Sequence, residues 1–562
     1  MVNQRLPMGI ENFEELRTGN YYYVDKTGLI VDLLNNWGEV NLFNRPSCFG
    51  KTVNLSMLKS FFQIGCDKSL FDGLEISKHK DLCDAYMGQY PVVAISLSSV
   101  FGSTYEGAFE QLRWIIGDVA NRLDVLRDSK ELSEYDQRDY QRLVQRNAEY
   151  AHIVSSLYTL TYLLEKHYHK KVILLIDDYD MPLTEAAANG YYDQMVSLIS
   201  GMFGWALKTN SSLKFGVVMG CLQVCKNGDT SGLNNISVYE STKLRYDKHF
   251  GFTEDEVRQM LTDYGLDHHL DEMRKWYGGY LIGSQNMYCP SHVIAYCRDL
   301  SHNPQAEPRI CRLDSTYQDE LRLLFENANT GTIRMEIENL LNGKTISKAL
   351  NVYLTHNKAG NDIDNIWSLL YLTGYLTVTK KPSQRWYTLR IPNENVRKLY
   401  KRHVLLWFQN KMSQQKDQLT DLYNAFENGN TEVIAKQLTN IMIDAIRYYD
   451  AQKPFSHDFL MIVLRTCSKW GVSENLNFGY PCTNVIAERE DGTAGFAIEA
   501  REVREWEQLD EACDAAMKQI EEKDYTAVLR RYSVEKIWTY GIAFWEIECR
   551  VVAKKVEQDS LG

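Results

Sequence analysis

Val40-Asn41-Leu42-Phe43 runs into Asn44-Arg45-Pro46-Ser47-Cys48-Phe49-Gly50-Lys51-Thr52, and Leu55, Leu58, Phe61 and Phe62 follow at helical spacing. An apolar run, a tight loop and an amphipathic stretch in that order predict a strand, a loop and a helix. A loop of this kind aims backbone N–H groups at phosphate and adds the positive end of the helix dipole. It also sets a Lys ammonium, here Lys51, beside the outer phosphate oxygens, and the Thr52 hydroxyl suits Mg²⁺. The full phosphate-loop pattern has Gly where this chain has Arg45, so Gly50-Lys51-Thr52 needs support from elsewhere in the chain.

That support comes from Lys171-Val172-Ile173-Leu174-Leu175-Ile176-Asp177-Asp178-Tyr179-Asp180, an apolar strand ending in paired acids. In such a pair the first carboxylate reaches the Mg²⁺ shell and the second positions the attacking water. Apolar runs at Val40–Phe43, Val92–Leu97, Val172–Ile176 and Phe215–Met219, with helix-length amphipathic stretches between them, predict a parallel sheet covered on both faces. Beyond the last run, Gln223 and Asn234 are candidates for a polar sensor, and Arg245 and Arg258 are the arginines that follow it.

From Gly251 the texture changes. Thr253-Glu254-Asp255-Glu256 is a capping signal that opens a helix containing Val257 and Leu261. Helical patterns dominate to about residue 360. Trp367–Thr379 and Trp386–Pro392 look like a helix end and short strands, and residues 400–470 are helical again. The last 90 residues return to mixed structure: Asn484–Glu488, Gly495–Ala500, a helix from about Val503 to Glu522, then Lys536–Phe544. Leu509, Ala512, Ala516 and Ile520 make one apolar stripe on that helix.

The 562 residues are too many for one core and predict about three domains. A formal net charge of −12 argues against a general nucleic-acid or anionic-membrane binder. No apolar run approaches the roughly 18 residues of a membrane span, and the N-terminus lacks the apolar stretch of a signal peptide. The 12 cysteines are scattered without CxxC spacing, and Cys221 and Cys225, the closest pair, have no His beside them. A reduced, cytoplasmic protein is expected.

Further runs carry a resemblance. Pro7-Met8-Gly9-Ile10-Glu11-Asn12-Phe13-Glu14-Glu15-Leu16-Arg17, Tyr22-Tyr23-Val24-Asp25-Lys26-Thr27, the loop at Arg45-Pro46…Phe49-Gly50-Lys51, and Leu175–Pro182 are among them. So are Trp276-Tyr277-Gly278-Gly279-Tyr280, Thr373-Gly374-Tyr375-Leu376, Gln519-Ile520 with Lys523 and Tyr525, and Gly541-Ile542-Ala543-Phe544. Together they resemble bacterial AAA-ATPase-like proteins that carry a C-terminal PD-(D/E)XK nuclease-like domain. The resemblance implies a P-loop NTPase parallel sheet at 1–250, a helical or winged middle region at 251–430, and a restriction-endonuclease-like α/β domain at 431–562. It implies ATP and Mg²⁺ as cofactors, with Arg45, Gly50, Lys51 and Thr52 on the nucleotide, Thr52 and Asp177 on the metal, and Asp178 as the catalytic acid.

The chain departs from that family at telling places. Ser47 and Cys48 stand where the family loop has two arginines, and Asp178 is one methylene shorter than the family's Glu. Shifting a catalytic group by about 1 Å can lower a rate on the order of 100-fold, so binding should survive better than hydrolysis. In the C-terminal domain Glu499 keeps its acid, Arg501 replaces the water-orienting Lys, and the family's metal-binding Asp falls on Cys482. Mg²⁺ prefers hard oxygen to thiolate, and arginine stays protonated. From Gly471 onward 11 Lys and Arg face 19 Asp and Glu, the reverse of a phosphate-tracking surface. Cys482, Glu499, Arg501 and Gln519 therefore mark a degenerate nuclease site. The expectation is an ATP-binding, slowly hydrolysing protein with an inactive nuclease-like domain. An ATP-dependent DNA nuclease and a non-catalytic interaction scaffold are the alternatives.

Overall fold

The computed structural model describes residues 4–208, 210–222, 235–311, 321, 324, 331–352, 354, 363–380, 386–403, 416–446, 456–465, 469–474, 484–503, 505–545 and 548–557. The chain divides into two compact units, Met1–Leu324 with Thr345–Lys398, and Phe325–Lys344 with Leu399–Gly562. Among the described residues no helix is long and apolar enough to cross a membrane.

The first unit is α/β, built on a five-stranded parallel sheet. Its strands are β1 (Val40–Asn44), β2 (Val92–Ser96), β3 (Val172–Asp177), β4 (Leu213–Gly220) and β5 (Ile236–Tyr239), in the order β2-β3-β4-β1-β5. The near-continuous apolar runs are explained by burial on both faces. Leu174 and Ile176 pack with Leu112, Leu160 and Leu198 on one side. Their neighbours Ile173 and Leu175 pack with Leu33, Leu58 and Phe62 on the other. All four predicted runs are strands. Strand β5 was not predicted: it is short, half polar and at the sheet edge, so it lacks the apolar signature of its neighbours.

After residue 250 the capping box forms as read. Glu256 accepts the Thr253 N–H at 2.7 Å, the Thr253 hydroxyl accepts the Glu256 N–H at 3.3 Å, and the helix runs Glu254–Tyr264. The stretch is less helical than expected. β6 (Phe252–Thr253), β7 (Tyr280–Ile282) and β8 (Gln285–Tyr288) form a small antiparallel sheet in the order β6-β8-β7. A second small sheet joins β9 (Ile346–Ala349), β10 (Thr377–Val378) and β11 (Trp386–Arg390).

The second unit carries β12 (Trp470–Glu474), β13 (Asn484–Arg489), β14 (Gly495–Glu502), β15 (Ile537–Trp545) and β16 (Glu548–Lys555), paired in chain order. Every pairing is antiparallel except β14–β15, which is parallel. A parallel pair needs a crossover, and the helix Leu509–Glu522 supplies it. That helix begins after a short 3₁₀ turn at Trp506–Gln508, later than the sequence suggested. Its buried stripe is Leu509, Cys513, Ala516 and Ile520, with Cys513 in the place expected for Ala512. Gly541 on β15 lets the helix approach closely, since a Cβ there would meet the Cys513 carbonyl oxygen at 2.6 Å. The other face of the sheet packs Phe496 and Tyr540 against Leu422, Phe426 and Leu438.

Candidate functional site

The strand order sets β4 between β1 and β3, so the loop after β1 and the acids after β3 meet over the end of β4. Register makes this concrete: Asn44 lies opposite Gly220, and Ile176 opposite Val218. The Arg45 N–H donates to the Gly220 carbonyl at 3.0 Å, which fixes where the loop leaves the sheet. Cys48 and Gly50 both take left-handed φ, +66° and +80°. Gly50 meets nothing within 4 Å at its missing Cβ, so backbone conformation and not space calls for glycine there. The helix Lys51–Phe62 starts at Gly50 without a side-chain cap. Its first N–H groups lack intrahelical partners and carry the positive end of the dipole.

Lys51 sits buried at the centre. Its ammonium donates to the carbonyls of Arg45 at 3.3 Å and Pro46 at 3.2 Å, and lies 3.4 Å from the Cys221 sulfur. Burial pulls its pKa down, but the Cys221 thiol and the carboxylates of Asp178, Asp180 and Asp177 outweigh this and raise it above the usual lysine value. The cation is therefore held firmly charged. Burial drives the Cys221 thiol up to about 12, against the nearby Lys51.

Asp177 ends β3 and is 1% exposed. Burial raises its pKa, while the neighbouring Thr52 hydroxyl and the Lys51 ammonium pull it back. Its Oδ1 accepts the Asp178 N–H at 3.1 Å, whereas Oδ2 is buried without a hydrogen bond of good geometry. A buried carboxylate oxygen beside a Thr hydroxyl is a hard-oxygen donor pair that suits Mg²⁺. Asp178 follows in a left-handed conformation, φ +46°, at the edge of the site.

Two neighbours were not given roles from the sequence. The Asp180 Oδ2 accepts the N–H groups of Cys221 at 2.9 Å and Leu222 at 2.7 Å, stitching the end of β4 to the turn after β3. The Tyr179 hydroxyl reaches Asn44 at 3.2 Å and the Leu222 carbonyl. Both crowd Gly220, whose missing Cβ would lie 2.5 Å from Asp180 and from Tyr179. The legible signal was the third acid in Asp177-Asp178-Tyr179-Asp180.

The Arg45 guanidinium turns into the protein. It is fully buried, donates to the carbonyls of Asn44 at 2.8 Å, Tyr239 at 2.6 Å and Tyr246 at 3.4 Å, and stacks 4.9 Å from the Phe250 ring centroid. Burial lowers its pKa to about 10. Gln223 and Asn234 lie outside the described residues. Arg245 is exposed, and Arg258 lies 3.5 Å from Glu254 on its own helix.

On the other flank of the same helix a 90 Å³ cavity is lined by Pro7, Ile10, Tyr22, Phe49, Val53 and Phe252, among others. Pro7, Ile10 and Tyr22 belong to the N-terminal runs quoted above, whose position beside the loop no spacing argument reveals. Asn54 at this cavity donates to the His249 carbonyl at 2.9 Å, and the His249 ring meets Asp32 at 2.6 Å.

In the second unit Glu499 and Arg501 lie two apart on β14. The Gln519 amide, from the crossover helix, donates to Glu499 Oε1 at 2.8 Å and to the Tyr525 hydroxyl at 2.8 Å. Its oxygen accepts from the Arg501 guanidinium at 2.7 Å. Glu499 is 1% exposed and faces Asn484 across the ladder. Cys482 lies outside the described residues.

Residues 7–230 match the family described as "Predicted AAA-ATPase". The chain is also 25% identical over 417 residues to an uncharacterized protein of the vnfD 5′ region of Azotobacter chroococcum mcd 1, a match that covers 72% of this chain and 71% of that one. The matched residues include Gly50, Lys51 and Thr52 and the acids Asp177 and Asp178.

Proposed function

We propose that residues 1–250 bind ATP·Mg²⁺ as an AAA-like P-loop domain and hydrolyse it slowly, and that residues 251–430 form a middle region. The observation that carries this reading is the convergence of Lys51, Thr52, Asp177 and Asp178 over the end of β4, beside an uncapped helix N-terminus. Gly50 shapes the loop, Lys51 takes the β- and γ-phosphates, and Arg45 contributes its main chain while its side chain braces the loop from behind. Thr52 and Asp177 would hold Mg²⁺, which supplies charge neutralisation on the phosphates. Asp178 would orient the water. Binding exchanges the two Lys51 bonds to loop carbonyls for bonds to phosphate oxygens, and no arginine replaces Ser47 or Cys48 beside them. Affinity is accordingly modest. Calorimetry with Lys51→Ala tests the reading: a loss of about 100-fold, on the order of 3 kcal/mol, is expected. Equal affinity in the two proteins sinks it.

We infer that residues 431–562 keep a PD-(D/E)XK nuclease-like fold without its chemistry. Supporting this, Gln519 spans Glu499 and Arg501, so the acid and the would-be catalytic cation are engaged with one neutral amide. The acidic surplus in this region would also repel a phosphate backbone.

A further inference from the structure

The loop after β1 is docked on a distant part of the first unit. Its Phe49 carbonyl accepts the Gly251 N–H at 3.0 Å, and the Phe49 ring meets the Tyr280 ring edge-on at 5.0 Å. A Cβ on Gly251 would lie 2.9 Å from the Phe49 ring, so glycine permits the approach. This docking sets Cys48 against Cys289, 241 positions away in the chain. The Cys289 sulfur lies 3.5 Å from the Cys48 carbonyl oxygen and 3.4 Å from the Ser291 hydroxyl. The two side chains also bond to each other, the Cys48 thiol donating to the Cys289 sulfur. Cys48 is exposed and held at φ +66°, whereas Cys289 is buried.

The pair divides the two roles that disulfide formation needs. Cys289 is the N-cap of the helix Pro290–His302, whose positive end favours a thiolate. Burial pushes its thiol up, but the bonds from Cys48 and Ser291 outweigh this and leave it below the usual cysteine value. The bond to Cys289, and then burial, raise Cys48, so the shared proton stays there. A thiolate beside a second thiol is the arrangement of redox-sensing cysteines. Cys221, on the other side of the loop, is buried and pushed up to about 12, so it stays a thiol and does not compete.

We propose that Cys48 and Cys289 are a site of oxidation by peroxide, closing to a disulfide that locks the loop with Lys51 bonded to its own carbonyls. The Cys289 thiolate attacks one peroxide oxygen: an S–O bond forms, the O–O bond breaks, and hydroxide leaves and takes a proton from solvent. The Cys48 sulfur then attacks the Cys289 sulfur. The S–S bond forms, the S–O bond breaks, and the second hydroxide leaves with the Cys48 proton as water. The two cysteines lose two electrons, and peroxide is reduced to two waters. The disulfide does not depend on the nucleotide reading; only its effect on ATP rests on it. Hydrogen peroxide is added to the full chain, remaining thiols are blocked with N-ethylmaleimide, and peptides are mapped by mass spectrometry with and without dithiothreitol. A Cys48–Cys289 cross-link should form and revert with dithiothreitol. In Cys48→Ser, a change at an exposed position, the cross-link should be absent and dimedone should trap the sulfenic acid on Cys289. Oxidised wild type should bind a fluorescent ATP analogue at least about ten-fold more weakly, because the locked loop is excluded from the binding arrangement. Dithiothreitol should restore affinity, and oxidation should leave that of Cys48→Ser unchanged. Absence of the cross-link at millimolar peroxide overturns the proposal, and so does a cross-link that leaves affinity as it was. Failure of the reduced wild type to bind the analogue would instead count against the nucleotide reading and leave the disulfide standing.

Discussion

The two units each bury an acid at the end of a strand or in its middle, and they treat its neighbours in opposite ways. In the first, Lys51 remains charged among several acids and donates to the Arg45 and Pro46 carbonyls of its own loop. In the second, Glu499 and Arg501 are drawn into bonds with Gln519, and Gln519 in turn is fixed by Tyr525. A cation bonded to loop carbonyls can exchange them for phosphate oxygens, whereas a cation tied through a shared amide to the acid beside it has that amide to displace first.

The largest expected difference between them is in chemistry on DNA. With Mg²⁺ or Mn²⁺, with or without ATP, the purified protein should leave plasmid and linear DNA intact. On the proposed nuclease-like reading, restoration should need at least Cys482→Asp with Arg501→Lys, since that reading puts Cys482 in the place of a metal ligand and Arg501 in that of the water-orienting lysine. Cleavage by wild type that vanishes in Glu499→Ala would reverse the contrast.

Stability should sharpen it next. Gln519→Ala removes the shared partner of Glu499 and Arg501 and should lower unfolding free energy by about 1–3 kcal/mol in urea, the penalty for stranding buried polar groups. An unchanged midpoint would mean the bonds do not hold this site together.

Much of the first unit was legible because a sheet buried on both faces writes itself as apolar runs. The same reasoning failed where burial is partial. Strand β5 is three half-buried residues and one buried one at an edge, and the β7–β8 hairpin is built from strands of three and four residues between glycines and turns. Strands β12 and β16 were also missed, the latter a run of mostly half-buried and charged residues. Of the site, the charged residues were readable by type and spacing. The buried destination of the Arg45 side chain was not, since a loop arginine beside a phosphate motif reads as a phosphate ligand until its carbonyl partners on distant segments are known. The stitching role of Asp180 also depends on backbone N–H groups 41 and 42 residues away.

Two smaller effects probe the first site alone. Asp178→Glu extends the acid by one methylene and should raise steady-state phosphate release several-fold, with ATP affinity little changed; no gain would show that the short acid is not limiting. The smallest effect concerns His249, whose pKa burial lowers, against Asp32. Below the ordinary value of about 6.5 the unfolded chain takes up a proton that the folded site disfavours, so stability falls as pH drops from there to the folded pKa. Melts between about pH 7.5 and 5.5 should show a steeper acid loss in wild type than in His249→Gln, and parallel curves would contradict this.

The central claim is that the Lys51 loop and the acids of β3 form one working nucleotide site. Titration of a fluorescent ATP analogue into wild type and Asp177→Ala, each with and without Mg²⁺, tests it most directly. Tighter binding with Mg²⁺ in wild type, and no Mg²⁺ effect in Asp177→Ala, is the predicted result. Absence of binding by wild type, or the same Mg²⁺ dependence in both proteins, would contradict it.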